Sequence, residues 1–303
     1  MPTNTRFLRL IHKVQNMYRA DVRKALEEQI QTWIDTGIVP TLPITKVLRK
    51  LYETAGVENG RYVRQQLKRN ISKGIDDPSD RIRWMMNEYY RLNLLDQAVI
   101  PITNTTKRFI EQVLQEANEG GWGADRTSAA LKNTDLTKMR AELIVRTETM
   151  KAANAGAMIG AIDMGILVNK QWISTQDIRT RRIPRDQYDH LHMSKKVVGF
   201  TDDFIVPSTK TIDAMSYPGD PSGSAGNVCN CRCTVAFIPV RDANGRLIPI
   251  GNQLPKDAPN VAYGQPIPQS ASNVFIDILS RVSNLIITQS IINDLIGIIE
   301  AES

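Results

Sequence analysis

The sequence predicts an α+β protein with an N-terminal helical region, a small mixed α+β domain and a C-terminal amphipathic helix. Three observations lead to this fold class. Apolar residues recur at helical spacing through the first 120 residues, short strand-like segments between Pro- and Gly-rich loops follow residue 165, and a near-heptad apolar stripe closes the chain. With 303 residues, 42% of them hydrophobic, the chain is long enough for a substantial core or for two domains.

The first 120 residues are predicted to be helices joined by short connections. Phe7, Ile11, Val14 and Tyr18 follow a spacing near 3.6, which predicts a long amphipathic helix ending before Gly37. Capping residues and helix breakers then predict helices over 45–52, 59–73, 79–100 and 103–118. Helix on helix packing is therefore expected in this region.

The second part of the chain changes from helix to short strands. A helix is predicted over 137–164, where small residues at close spacing favour a close helix crossing. These residues are Ala153, Gly156, Ala157, Gly160 and Ala161. Strands are predicted over 169–175, 195–200 and 234–240, and Asn244 with Gly245 predicts a hairpin back to Ile250.

Composition divides the chain into four segments. The predicted boundaries are 1–120 for the helical region, 121–250 for the α+β domain, 251–271 for a Pro-rich linker and 272–303 for the C-terminal helix. The apolar stripe of that helix is a candidate docking surface formed by Phe275, Leu279, Val282, Ile286, Ile292, Ile296 and Ile299. Its face either folds back onto the same chain, docks on another subunit or lies on a membrane surface.

Composition also limits the class of protein. The net charge of +6 permits contact with polyanions such as DNA without requiring it. We expect neither a secretory signal nor a membrane helix, because the sequence shows no h-region near Met1 and no apolar run of about 18 residues. Three cysteines within five positions are not a disulfide framework, which favours assembly in a reducing cytoplasm.

An ordered series of short motifs spans roughly residues 110 to 240. It begins with the run Gly120 to Gly123, continues through the Arg-Thr-Glu triplet and Trp172 to Thr175, and ends with Pro218-Gly219-Asp220 and Asn-Cys-Arg-Cys. This series resembles the core domain of the phage Mu F-like minor head proteins. The residues that carry the resemblance are Arg146, Glu148, Trp172, Asp177, Arg179, His190, Asn230, Cys231, Arg232 and Cys233.

The resemblance implies a minor capsid protein of a tailed bacteriophage, assembled in the host cytoplasm and present in the virion. Its implied role is to bind the portal vertex or the capsid interior during head morphogenesis and to assist DNA packaging or ejection. The implied partners are the portal protein, other head or neck proteins and double-stranded DNA. Ring-like multiple copies on the portal would follow from such docking.

Histidines and cysteines supply a candidate zinc site. Its ligand candidates are His190, His192, Cys229, Cys231 and Cys233. In an extended strand, residues two apart lie about 6.6 Å apart, which suits neither a tetrahedral metal nor a disulfide. A tight turn at Asn230 would make either feasible, so small buried packing residues, a zinc site and a disulfide all remain open.

Two enzyme hypotheses use the same region, although no compelling catalytic constellation is present and we expect no enzyme activity. A thiol hydrolase would pair Cys231 or Cys233 with His190, oriented by Asp177 or Asp189. A metal-dependent nuclease would combine His190 and Asp177 with Glu148. The competing expectation is that Glu148 and Asp177 satisfy arginines or backbone donors inside the fold.

Two basic groups are candidates for contact with DNA phosphates or with an acidic portal surface. One lies on the helix that opens at Asn59 and consists of Arg61, Arg64 and Lys68. The other follows the Trp172 strand and consists of Arg181, Arg182, Arg185, Lys195 and Lys196. A solvated loop without a partner is the alternative for the second group.

Overall fold

A computed structural model describes residues 4–68 and 79–248 and confirms the α+β fold class, with helices first and a small sheet after them. The helices are α1 (Asn4–Thr36), α2 (Leu42–Lys68), α3 (Ser79–Leu94), α4 (Ile100–Glu119), α5 (Ala124–Leu131), α6 (Thr134–Ile162) and α7 (Ala225–Val228), with a π-helical turn at Leu95–Val99. The strands are β1 (Val168–Ile173), β2 (Val197–Gly199), β3 (Phe204–Val206), β4 (Asp213–Met215) and β5 (Thr234–Pro239). The predicted linker and C-terminal helix lie outside the described residues.

Helix α6 is the centre of the helical region, where it packs against α1, α2 and α3. The largest apolar core takes residues from both sides of residue 120, including Leu26 and Leu48 from the first helices and Ile159 and Tyr217 from the later part. The motif-bearing part of the chain is therefore built directly onto the N-terminal helices. None of the helices in the described ranges is both long and apolar enough to cross a membrane.

The predicted close crossing of small residues is confirmed, and its partner is α2. A Cβ added at Gly156 would lie 2.0 Å from the carbonyl oxygen of Gly56, and one at Gly160 would lie 2.1 Å from that of Gly60. Both distances are far inside van der Waals contact. The two helix backbones touch because neither helix carries a side chain at these positions.

Two helix boundaries differ from the prediction. Helix α2 runs without a break through the predicted helix 45–52 and the described part of 59–73, because Ala55, Gly56 and Val57 between them are buried on the helical core and packing overrides the weak helix propensity of glycine. The chain also stays helical up to and through Pro101, which stands in the first turn of α4 after the π-helical turn. A proline is tolerated there because the first-turn N–H groups lack intrahelical partners.

The sheet that carries the site is three-stranded and antiparallel in the order β2, β1, β5. Trp172 of the central strand lies opposite Val235. All three predicted strands are confirmed with shorter bounds, whereas α5, α7 and the separate β3–β4 hairpin were not predicted. The predicted turn at Asn244 and Gly245 is present, with Gly245 at a φ of 75° and Arg241 bridged to Leu247.

One buried side chain ties α6 to the loops of the site. Asn154 is fully buried, and its Nδ2 donates to the carbonyl oxygens of Pro218 at 2.7 Å and Cys233 at 3.0 Å. Its Oδ1 accepts from the Thr234 hydroxyl and the Val235 N–H. A central helix thus fixes the start of β5, directly after the cysteines.

Candidate functional site

Most of the motif residues predicted from the sequence lie close together in space, and Glu148 is the exception. Arg146 and Glu148 lie on α6, Trp172 on β1, Asp177, Arg179 and His190 on the long β1–β2 loop, and Asn230 to Cys233 immediately before β5. A second buried core contains three of them, and its members are Trp172, Tyr188, Met193, Phe204, Val206, Met215, Val228, Cys231 and Cys233. The site is therefore a junction of four chain segments.

Direct contacts join these segments. Arg146 Nη1 donates to Asn230 Oδ1 at 3.0 Å, and the Asn230 N–H donates to the Thr147 hydroxyl at 2.9 Å. Arg232 binds both carboxylate oxygens of Asp177, at 2.6 Å for Nη2 to Oδ1. This pairing, aided by the Arg179 N–H, holds the pKa of Asp177 well below its usual range. Asp177 therefore satisfies an arginine and a backbone donor, but it does so at an exposed position and not inside the fold, because its side chain is 40% exposed.

The cysteine segment is a turn and not an extended strand. Asn230 has a φ of 59°, the left-handed conformation that asparagine tolerates better than most residues. The Cys233 N–H then donates to Cys231 Sγ at 3.4 Å, and β5 begins only at Thr234. The separation expected for an extended strand does not apply here. The turn at Asn230 sets Cys229 apart as an exposed residue, whereas Cys231 and Cys233 both follow the turn and are buried.

His190 joins the two thiols. Its Nδ1 lies 3.6 Å from Cys231 Sγ and 3.5 Å from Cys233 Sγ, and all three side chains are buried. Their ligand atoms lie within 4.8 Å of one another. The ring also packs edge to face on Trp172, with centroids 5.4 Å apart. Of the five ligand candidates, these three form one group.

The other ring nitrogen of His190 is held by residues that the sequence did not indicate. Nε2 lies 2.5 Å from Asn227 Oδ1, and Asn227 Nδ2 donates to Asp213 Oδ2 at 2.9 Å. Because a carboxylate only accepts, Asp213 fixes the orientation of the amide, and the amide oxygen requires a proton on Nε2. The lone pair of Nδ1 therefore points to the thiols. Asn227 thus orients His190, the role that the thiol hydrolase hypothesis assigned to Asp177 or Asp189.

The two buried thiols differ in acidity. The hydrogen bond from Cys233 lowers the pKa of Cys231 well below its usual value, and those with His190 act in the same direction. The same interaction with Cys231, together with burial, raises the pKa of Cys233. These surroundings therefore favour the thiolate form of Cys231 and the thiol form of Cys233.

His192 and Cys229 stand apart from this group. Both are exposed; the His192 N–H donates to Asp189 Oδ1, and the Cys229 carbonyl accepts from Arg181. Adjacency in the sequence suggested that they share the site. The backbone turns them outward, and the predicted ligand set shrinks to His190, Cys231 and Cys233.

Glu148 is committed to a different buried network. The Tyr52 hydroxyl donates to Glu148 Oε2 at 2.5 Å, and Lys151 Nζ lies 2.9 Å from Oε1. The glutamate side chain is 5% exposed and that of Lys151 is 9% exposed. With Glu148 held by Tyr52 and Asp177 by Arg232, the carboxylates of the nuclease hypothesis serve as acceptors for other side chains.

A polar cavity of about 190 Å³ opens beside the thiols. Arginines dominate its lining, which includes Arg146, Arg179, Arg181 and Arg232 with Asp186 as the acidic member. Arg181 is anchored to the carbonyl oxygens of Asn227 and Cys229. Arginines outnumber carboxylates in this lining, which suits an anionic group, and two of them also form ion pairs, Arg146 with Glu142 and Arg232 with Asp177.

The helical basic group lines a cavity between α1 and α2. Arg61, Arg64 and Lys68 face this space of about 620 Å³ together with Arg6 of α1. Arg64 is buried, however, and its Nε lies 2.5 Å from Asp163 Oδ2. Its predicted role as a surface contact conflicts with this internal ion pair.

The loop basic group separates into two kinds of residue. Arg181 and Arg185 hold the β1–β2 loop together; Arg185 donates to Asp186 and to the carbonyls of Ile178 and Thr180. Arg182, Lys195 and Lys196 are exposed. The second set is available to a polyanion without rearrangement of the loop.

Comparison with known proteins gives a family match for the segment that carries the junction. Residues 108–236 match the family model described as Phage Mu protein F like protein, which confirms the resemblance predicted for roughly 110 to 240. Searches of curated proteins and of solved structures gave no significant match. The matched segment contains every motif residue of the junction.

Proposed function

We propose that this chain is a phage head morphogenesis protein and, more specifically, a minor head component that docks on the portal vertex or the capsid interior. Its residues 108–236 match the family model described as Phage Mu protein F like protein. The family match is the observation that carries the proposal. It implies a location in the phage head and contact with other head components. Portal docking is the finer step, and multiple copies around a portal ring would follow from it.

Binding without chemistry is the mechanism that the geometry favours. The motif residues contact one another across α6, the β1–β2 loop and the turn before β5, as in the pairs Arg146–Asn230 and Asp177–Arg232. Such contacts make the domain a rigid body. A rigid body presents its surfaces to a partner with little ordering cost on association.

Two apolar surfaces are candidates for the docking contact with portal, head or neck proteins. The first is the C-terminal stripe from Phe275 to Ile299, which lies outside the described residues. The second lies on α6, where Leu136, Met139 and Leu143 are 42%, 69% and 45% exposed. Their spacing of three and four residues places them on one helix face. Apolar helix faces of this kind fit a groove on a partner.

A truncation test separates these surfaces. We expect the full chain to form a complex with the portal ring of its phage, observed by analytical ultracentrifugation, and removal of residues 272–303 to abolish it. Complex formation that survives truncation but is lost in Leu136→Ser with Met139→Ser would assign the contact to α6. A folded full chain that does not sediment with the portal ring would refute portal docking.

We further propose that the exposed basic residues of the β1–β2 loop contact the phosphates of packaged DNA. Arg182, Lys195 and Lys196 are exposed on a chain of net charge +6. Phosphate contact of this type is independent of sequence and strongly dependent on salt. Binding of this type suits a protein that contacts packaged DNA of any sequence.

Replacing Arg182, Lys195 and Lys196 together with alanine is expected to weaken binding to duplex DNA. Each lost phosphate contact lowers the slope of log affinity against log salt by about 0.9, so the triple variant should lose about 2 to 3 units of slope. Fluorescence anisotropy at several salt concentrations measures it. The control removes the same charge elsewhere, through Lys107→Ala, Arg108→Ala and Lys132→Ala, all exposed. Equal losses in both variants would show a non-local charge effect.

A thiol hydrolase is the second candidate function, and one observation favours it. Cys231 Sγ, His190 Nδ1, His190 Nε2 and Asn227 Oδ1 follow one another in the order nucleophile, base and orienting group. Turnover of a head protein that disappears in folded Cys231→Ala would support it. Both thiols, however, are 2% to 3% exposed, which limits access by a polypeptide substrate.

A further inference from the structure

We propose that His190, Cys231 and Cys233 bind one zinc ion, with a fourth coordination position open to a water molecule or an anion in the arginine-lined cavity. The group has the ligand types that zinc prefers, two thiolates and one imidazole. Among the described residues these three form the only group of this kind. The proposal is independent of portal docking.

The distances fit a tetrahedral ion. With zinc bonds of about 2.3 Å to sulfur and about 2.0 to 2.1 Å to nitrogen, a sulfur and a nitrogen ligand lie about 3.6 Å apart. The observed separations from His190 Nδ1 are 3.6 Å to Cys231 Sγ and 3.5 Å to Cys233 Sγ. Both nitrogen–sulfur distances therefore already match those around a tetrahedral zinc ion.

The imidazole is already oriented as a ligand. Asn227 accepts from Nε2 and is itself bound to Asp213, so the proton is kept on Nε2 and the lone pair of Nδ1 faces the thiols. Zinc-binding histidines regularly have such a partner on the second nitrogen. A histidine that merely fills a core needs no relay ending in a carboxylate.

The charges also agree with a cation at this point. Two thiolates balance one Zn²⁺, and the Cys233 N–H adds a hydrogen bond to Cys231 Sγ. The cavity lined by Arg146, Arg179 and Arg232 lies on the open side of the group. An ion with three protein ligands would direct its fourth position to this space, where arginines favour an anion.

The ion would connect two segments that are far apart in sequence. His190 lies on the β1–β2 loop, and the cysteines lie on the turn before β5, 41 and 43 residues later. Zinc binding would therefore hold the loop with the exposed basic residues against the sheet. Metal affinity and the stability of this junction are expected to rise together.

Metal analysis of the full chain tests the proposal. The protein is purified with a non-chelating reductant and dialysed, and zinc and protein are then quantified. We expect one zinc per chain, with Cys231→Ser and Cys233→Ser losing it. Cys229→Ser and His192→Gln are the matched controls, and both should retain the ion because both side chains are exposed and outside the group. Asn227→Ala should weaken zinc binding by about 10- to 100-fold.

A spectroscopic measurement on the wild type covers the case in which ligand variants do not fold. Cobalt in place of zinc should give the intense visible bands of a tetrahedral site and a thiolate charge-transfer band. Folded wild type without stoichiometric zinc and without this cobalt spectrum would overturn the proposal. Loss of zinc in Cys229→Ser together with retention of zinc in folded Cys231→Ser would also overturn it. The same holds if protein purified with the reductant has a mass lower by two hydrogens, which would show a Cys231–Cys233 disulfide.

Discussion

Gly156→Ala is expected to lower the free energy of unfolding by at least about 3 kcal/mol, because the added methyl group would lie 2.0 Å from the Gly56 carbonyl oxygen. The obstacle is backbone on both sides, so relief requires the two helices to move apart along the largest core. Alanine would otherwise favour the helix by about 1 kcal/mol over glycine. The steric cost exceeds this gain. Chemical denaturation followed by circular dichroism measures the difference.

Two other glycines provide graded controls for this experiment. A Cβ at Gly56 meets chiefly the flexible end of Met86, at 2.1 Å from Cε, so Gly56→Ala should cost less than Gly156→Ala. Gly123 has open space around it and a φ of −72°, and Gly123→Ala should change stability by about 0.5 kcal/mol or less. Equal effects at Gly156 and Gly123 would contradict the close crossing.

This crossing also shows which features of the fold can be predicted from the sequence. The small residues of α6 predict that some helix approaches closely, because their spacing is a local property. The partner could not be predicted, since Gly56 lies where propensity suggested a break between two helices. Packing against α6 and the neighbouring helices keeps α2 continuous there. Local pattern therefore predicts the elements, and long-range contact decides their extent.

The same limit applies to the candidate site. The residue types His190, Cys231 and Cys233 are visible in the sequence, but an extended-strand assumption separates the two thiols. In the fold, β5 begins only at Thr234, so both cysteines precede the strand and their Sγ atoms lie within 4.8 Å of one another. Asn227 carries no sequence signal at all, because its role depends on the fold bringing it to a histidine 37 residues earlier.

For Arg64 the helical pattern predicts a surface position, whereas the fold buries the side chain. On a helical wheel it lies on the same face as Arg61 and Lys68, which suggests a basic surface. In the fold that face borders Asp163 at the end of α6, and the arginine becomes an internal counter-ion. A helical wheel gives the direction of a side chain. It does not tell what the neighbouring helix places there.

The second large effect is expected for Glu148→Ala, which should reduce the free energy of unfolding by about 3 to 5 kcal/mol. The substitution leaves the Lys151 ammonium buried without its counter-ion, 9% exposed, and removes the acceptor of the Tyr52 hydroxyl. Uncompensated burial of a charge costs more than the ion pair contributes. Urea denaturation at neutral pH measures the loss.

Glu142→Ala is the matched control because it lies on the same helix and also forms ion pairs, with Arg146 and Arg19. Its side chain is 39% exposed, so water screens the pairs and the expected loss is about 1 kcal/mol or less. A double variant, Glu148→Leu with Lys151→Met, should recover much of the loss, since it removes both buried charges together. If Glu148→Ala costs no more than Glu142→Ala, the Lys151 ammonium is reached by water and the network is not a buried one.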